Sequence, residues 1–173
     1  MVLVTGDGPV PKLIRRAQER GGFHPDHARW THIAVYIDRG LLVEATPFGG
    51  VRVGQLVDMT FGRELLVRRR STPLTLEDRY RIAVYALTGL RRGYSLASLP
   101  RLAWQALRST LWQVDHRPDI RNVTICSTVV RNAYATALTT DLLPGQVGVA
   151  WPADLSQTVE LDDVPMGWVR VVP

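Results

Sequence analysis

Cysteine is nearly absent from this chain: Cys126 is the only one among 173 residues. A lone thiol forms no internal disulfide and cannot by itself supply a zinc site, so neither device can hold the fold together. Lysine is equally scarce. Lys12 is the only one, and the net charge of +5 rests on arginine. No uncharged apolar run reaches the roughly 18–20 residues of a membrane-spanning helix, so none is expected. Met1 to Thr5 is too short for a secretory signal and is interrupted by Gly6-Asp7-Gly8. No signal peptide is readable, and a cytoplasmic location is favoured for the chain as given. Repeats and low-complexity tracts are missing, and collagen-like, mucin-like and fully disordered classes are excluded by composition.

What is present is ordinary for a globular protein: 46% apolar and 21% charged residues. The length suits one domain over residues 1–173, large enough to bury a core unaided. Arginine favours bidentate contact with phosphate or carboxylate, which brings nucleic acid and anionic lipid into consideration. The arginines are scattered, however, without an RNA-binding aromatic motif or finger spacing. Nucleic acid is therefore not an expected partner, and contact with a membrane surface stays open. Arg68-Arg69-Arg70, the one dense run, ends an expected strand.

Pro9 to Arg20 reads as a short basic helix stopped by Gly21-Gly22. Thr31 to Ile37 and Leu41 to Thr46, both rich in β-branched residues, flank the turn signal Asp38-Arg39-Gly40 and predict a hairpin. Val51 to Val53 and Glu64 to Arg68 predict further strands. Thr75 to Arg92 changes period: Leu76, Tyr80, Ala83, Val84, Leu87 and Leu90 recur at helical spacing. Thr75 and Asp78 form a weak capping box, and Gly93 is a plausible stop. Leu99 to Val114 predicts another helix, and Asp115 to Arg121 a polar loop. Cys126 to Leu138 predicts a helix with Cys126, Val129, Val130, Ala133 and Ala137 as its apolar stripe and Thr124 as a candidate cap. Short strands are expected after Pro144-Gly145, ending with Trp168 to Val172. Partial segregation of strands and helices predicts an α+β fold.

The chemistry centres on Cys126. A thiolate at a helix start faces free backbone N–H groups and the positive end of the helix dipole, which favour the anion. The same N–H groups can stabilise an oxyanion. The stripe pattern fits a core cysteine equally well. A nucleophilic thiol needs a base, usually a histidine oriented by a third polar group. His24 and His27, beside Asp26, and His116, between Asp115 and Arg117, read as solvated. His32 opens an apolar strand. Glu44 is the only acid inside the next strand. If the turn is Asp38-Arg39-Gly40, Ala34 pairs with Glu44, and His32 lies diagonal to Glu44 on one face. A two-residue Arg39-Gly40 turn would put them on opposite faces.

Gly6-Asp7, Thr31-His32-Ile33-Ala34-Val35-Tyr36, Val43-Glu44-Ala45 followed by Gly50-Val51, Gly93-Tyr94-Ser95, and Cys126-Ser127 opening a helix together resemble the YiiX-like permuted papain family. That family belongs to the NlpC-type cysteine peptidase superfamily and is related to lecithin:retinol acyltransferase. Trp151-Pro152-Ala153-Asp154-Leu155 is similar to its C-terminal Pro-x-Asp-Leu segment. The likeness spans nearly the whole chain, histidine hairpin first and cysteine helix later, the reverse of ordinary papain-like enzymes.

The resemblance implies a circularly permuted papain-like α+β fold, its antiparallel sheet packed against the cysteine helix. It implies Cys126 as nucleophile, His32 as base and Glu44 as third residue. Tyr94, Tyr36 and Ser127 are the expected substrate contacts, with Asp7, Tyr36 or a backbone carbonyl as the fallback partner of His32. The expected activity is that of a thiol hydrolase, amidase or acyltransferase acting on a peptide, amide or lipid acyl substrate, with no metal and no cofactor. The alternative is an inactive binding module of the same fold for anionic lipid, cell-wall polymer or nucleic acid. Leu96 to Asn122, with Trp104 and Trp112, departs from the family pattern and reads as helix packing or as a lid.

Overall fold

The computed structural model describes residues 1–90, 125–146 and 149–165. Among them, β1 (Val2–Val4), β2 (His32–Asp38), β3 (Leu41–Thr46), β4 (Gly50–Gln55), β5 (Leu65–Arg70) and β6 (Leu161–Asp163) form a six-stranded sheet in the order β4-β3-β2-β1-β5-β6. Every neighbouring pair is antiparallel. The helices are α1 (Pro9–Arg20), α2 (Pro25–Ala28), α3 (Leu56–Thr60), α4 (Leu76–Thr88), α5 (Cys126–Leu138) and α6 (Pro152–Gln157). The architecture is α+β, as the segregation of periods predicts. None of the described helices is long and apolar enough to cross a membrane.

The alternation of side chains along each strand divides the sheet into two faces. Leu3, Ile33, Val35, Val43, Ala45 and Val51 occupy one, where they share a buried cluster with Val130, Ala133 and Ala137 of α5 and with Ile82 and Ala86 of α4. Val2, Val4, Ala34 and Leu42 occupy the other, which is covered by Met59 of α3. The stripe expected on α5 is buried as read, with Val129 only half-buried.

The β2–β3 hairpin has the Ala34–Glu44 register of the first alternative but the two-residue turn of the second. Arg39 (φ 47°) and Gly40 (φ 78°) are both left-handed, and Asp38 pairs with Leu41, so the loop has two residues. Left alone, that loop would place Glu44 opposite Val35. The register instead shifts between Tyr36 and Asp38, leaving Ile37 as an extra residue, and Ala34 pairs with Glu44 after all. A β-bulge of this kind moves every preceding side chain to the other face relative to its partner strand.

Other expectations are corrected by the packing. On α4 the capping box forms in both directions, but the helix stops at Gly89 rather than Gly93. Its buried face is Ile82 and Ala86, whereas Leu76, Tyr80 and Val84 are exposed. The apolar spacing recurs on both sides of this helix, and contact with α5 selects the side with the smaller residues. The position before α5 is Ile125, which makes no side-chain cap. After Pro144-Gly145 the chain forms α6 before β6, because Pro152 suits a first helical turn and Asp154 accepts from the Trp151 N–H at 2.8 Å. Arg68 is buried, with Nε donating to Asp163 (2.8 Å) and Nη1 to the carbonyls of Leu155 and Thr158. The expected elements at Leu99–Val114, Asp115–Arg121 and Trp168–Val172, together with Gly93, Thr124 and His116, lie outside the described residues.

The left-handed turn yields a direct test. Arg39 holds a positive φ with its side chain in solvent, where the ion pair to Asp38 contributes little. Arg39→Asn, which tolerates this conformation, should raise the midpoint of urea unfolding, whereas Arg39→Val should destabilise by about 1–2 kcal/mol.

Candidate active site

The site begins as a row across three strands. His32 is the first residue of β2 and pairs with Val4 of β1; Glu44 of β3 lies diagonal to it; Arg52 of β4 stands opposite Glu44. All three point to the face opposite the main core. His32 Nε2 donates to Glu44 Oε2 at 2.8 Å. Arg52 Nε and Nη2 donate to the other oxygen, Oε1, at 3.0 and 2.8 Å. Each carboxylate oxygen thus has its own cationic partner, and the Glu44 side chain is 8% exposed.

Gly54 makes room for this arrangement. It pairs with Leu42, on the same face as Glu44. A Cβ at position 54 would lie 2.9 Å from Glu44 Oε1 and 3.2 Å from Leu42 Cδ1. Arg52 and Gly54 escape a reading of the sequence by residue type. Arg52 is one arginine of many until the β3–β4 register sets it against Glu44.

Cys126 arrives from the other direction, at the first position of α5. It is buried among core residues such as Ile33 and Val130, and it borders the same cavity as His32, whose proton affinity it raises. One position thus places this cysteine both in the core cluster and on the cavity wall. Ser127 is fully buried and donates to the Ala150 carbonyl at 2.5 Å, tying α5 to the segment before α6. Tyr36 sits at the hairpin end of β2, where its hydroxyl accepts from the Gly40 N–H at 3.1 Å. Neither lines the cavity described next, and Asp7 is exposed away from it. Tyr94 lies outside the described residues.

A cavity of about 250 Å³ opens over His32, Glu44 and Cys126. Val10, Pro11 and Ile14 of α1, with Met59, give it an apolar wall, and Arg52, Asp58 and Arg63 give it a charged rim. Burial opposes a charge on His32, but interactions with the Cys126 and Glu44 side chains outweigh it. The imidazole is pushed up to about 9. Glu44 is displaced the other way: burial opposes its charge, and the contacts with His32 and Arg52 hold its carboxyl below the ordinary range.

The other histidines divide. His24 is exposed beside Asp26, as expected. His27 is not solvated as its loop composition suggested. Its Nδ1 pairs with Ser156 Oγ at 2.9 Å, joining α2 to α6, because the short α2 turns it inward. Gln18 clamps the same region from α1. Its amide donates to the carbonyls of Ala28 and Trp30 and accepts from the Ala153 N–H.

The chain matches no protein-family profile and no curated protein. Among solved structures it resembles the crystal structure of the metalloprotein YiiX from Escherichia coli O157:H7. The TM-score is 0.54 and the sequence identity 17%, over 97% of this chain and 96% of that one. At this identity the shared property is the fold.

The electrostatics set a measurable sign. His32 has a raised folded-state value, so its pairing stabilises the fold fully below pH about 6.5 and ceases to do so as pH rises through about 9. Its imidazole resonances, followed by NMR, should titrate near pH 9. In Glu44→Gln the midpoint should move back toward the ordinary value. A midpoint near 6.5 in the unaltered protein would refute the pairing.

Proposed function

We propose that this chain is a cysteine-dependent hydrolase or acyltransferase on a circularly permuted papain-like fold. It acts on an amide, ester or thioester carbonyl through an acyl-enzyme. The observation that carries the reading is one cavity lined by His32, Glu44 and Cys126, with the imidazole bonded to Glu44 and its proton affinity raised by the neighbouring thiol and carboxylate. A histidine held between a carboxylate and a thiol is arranged to hold the thiol's proton. The strand-then-helix order of His32 and Cys126 is what motivates the permuted placement, and the YiiX-like neighbour shares the fold.

In this mechanism the Cys126 proton rests on His32, and Sγ attacks the carbonyl carbon. N–H groups of the uncapped first turn of α5 face the developing oxyanion. His32 returns its proton to the leaving amine, alcohol or thiol. Water, or an acceptor amine, then attacks the thioester carbon, and Cys126 is regenerated. Glu44 orients the imidazolium throughout, Arg52 holds Glu44 ionised, and Gly54 keeps the carboxylate in place. The apolar wall of the cavity and its charged rim suit an acyl or peptidyl group carrying polar substituents.

The neighbouring protein is described as a metalloprotein. The donor set here does not fit that chemistry: among the described residues no group of three or more His, Cys, Asp and Glu side chains is placed to hold a metal ion. Both oxygens of Glu44 are already engaged by His32 and Arg52. No step is routed through a metal.

Iodoacetamide labelling tests the nucleophile. Cys126 should alkylate near pH 7 at least about tenfold faster in the unaltered protein than in His32→Ala, because the thiolate fraction governs the rate. Equal, slow labelling of the two would sink the assignment.

Gly54→Ala tests the support. Its methyl group would displace the Glu44 carboxylate, and Cys126 labelling should slow by about tenfold, since small misplacements near reacting groups are costly. Far-UV circular dichroism should stay unchanged. Unaltered labelling in a folded Gly54→Ala protein would remove the positioning role.

A further inference from the structure

Thr31 directly precedes His32 and is 2% exposed. Its backbone is fixed in the sheet frame, with its N–H donating to the Val4 carbonyl at 3.1 Å. Its hydroxyl is not matched: among the described residues, Oγ1 is buried with no hydrogen-bond partner. A buried polar group without a partner is costly, so an orphan of this kind calls for a reason. The other buried unpaired atoms, Arg29 Nε and Arg70 Nε, belong to guanidinium groups that bond elsewhere, to Glu64 and Glu160. Thr31 has no second polar atom on its side chain.

The hydroxyl's position gives that reason. Thr31 lines the same cavity as His32, Glu44 and Cys126. Gly6 and Pro11 pack closely beside it: a Cβ at Gly6 would lie 3.3 Å from Thr31 Oγ1 and 2.8 Å from Pro11 Cγ. The cavity is also bordered by the start of α5, whose preceding residue, Ile125, provides no side-chain cap. First-turn N–H groups of a helix have no intrahelical acceptor. Thr31, with its unmatched hydroxyl, and an uncapped helix start therefore border one cavity with the thiol.

We propose that the Thr31 hydroxyl donates a hydrogen bond to the substrate carbonyl oxygen that Cys126 attacks, sharing the oxyanion with the first-turn N–H groups of α5. This assignment rests on the thiol-acyl-enzyme reading above and adds a catalytic residue to it. When Sγ bonds to the carbonyl carbon, the C=O π pair moves onto oxygen and the oxygen gains negative charge. The Thr31 hydroxyl keeps its proton and strengthens its bond to that oxygen. As the leaving group departs, the pair returns and the C=O bond re-forms. The hydroxyl is unmatched in the resting protein because its partner is the substrate.

Two reactions of the full chain separate this role from that of the Cys126–His32 pair. Alkylation by iodoacetamide displaces iodide at a saturated carbon and forms no oxyanion. Acylation by p-nitrophenyl acetate passes through one: Sγ takes the acetyl group, p-nitrophenolate leaves, and water then releases acetate. Thr31→Val, which is nearly isosteric, should lower the burst rate of p-nitrophenolate release by about 100-fold, in the range seen when one oxyanion donor is removed. The alkylation rate should be unchanged, and Thr31→Ser should restore most of the acylation rate. An unchanged burst in Thr31→Val would overturn the proposal and mark the hydroxyl as a plain orphan. Equal loss in both reactions would also overturn it, placing Thr31 in support of the thiol rather than on the substrate oxygen. Alkylation of the unaltered protein no faster than that of a free thiol would instead refute the underlying reading, and this inference with it.

Discussion

A strand in an antiparallel sheet has only two faces to offer, and β2 and β3 must use both. Val35 and Val43 face the helices, while His32 and Glu44 face the cavity. The register of one hairpin decides whether those assignments agree. Its two-residue loop has the twist that suits adjacent strands, but it would turn Glu44 toward the wrong side. The extra residue at Ile37 reconciles the turn with the face. Without that bulge Glu44 would turn to the face of Ile33 and Val35, away from His32, and Val43 would leave the core. Core packing and site assembly are thus enforced by one local irregularity.

The row His32–Glu44–Arg52 then acts as a unit. A single carboxylate bridges two cations, one of them only 18% exposed in its side chain and the other more than half exposed. Arg52, at the rim, keeps Glu44 charged; Glu44, beneath it, keeps the imidazolium charged. Removing one partner from such a chain leaves another buried charge uncompensated, which costs more than the missing contact suggests. The Arg68 network at the β5–β6 end obeys the same rule. There a buried guanidinium is matched by Asp163 and backbone carbonyls. The dense arginine run of the sequence is, at that position, part of the interior.

Much of this was legible in the residues. α1, β3 and α5 have the bounds that Pro9, the β-branched run from Leu41 and the stripe from Cys126 predict. Helix starts and strand composition are local properties, and local properties survive in a sequence. The face of α4 was not legible, because apolar residues lie on two sides and only contact with α5 chooses between them. His27 read as solvated from its neighbours, yet Ser156 meets it from the far end of the chain. The hairpin was read as a choice between two turns, and the structure combines the shorter turn with a bulge. Arg52, Gly54 and Thr31 matter through register, through a missing Cβ and through a missing partner. None of these is a property of residue type. Tyr36 and Ser127, chosen for the site by resemblance, are held by Gly40 and Ala150 instead.

The separation of the site in sequence carries its own consequence. The His32–Glu44 bond spans 12 residues and the Glu44–Arg52 bond 8. Both close within a meander of consecutive strands, the kind of short-range contact that forms early in folding. Cys126 belongs to a helix encoded more than half the chain later, and it meets the imidazole only when that helix docks. During synthesis, the His32–Glu44–Arg52 row emerges well before Cys126. Until docking, the thiol has no imidazole beside it and behaves as an ordinary cysteine. On the proposed reading, an incompletely folded chain is therefore chemically quiet, and the reactivity of Cys126 reports the docking of α5.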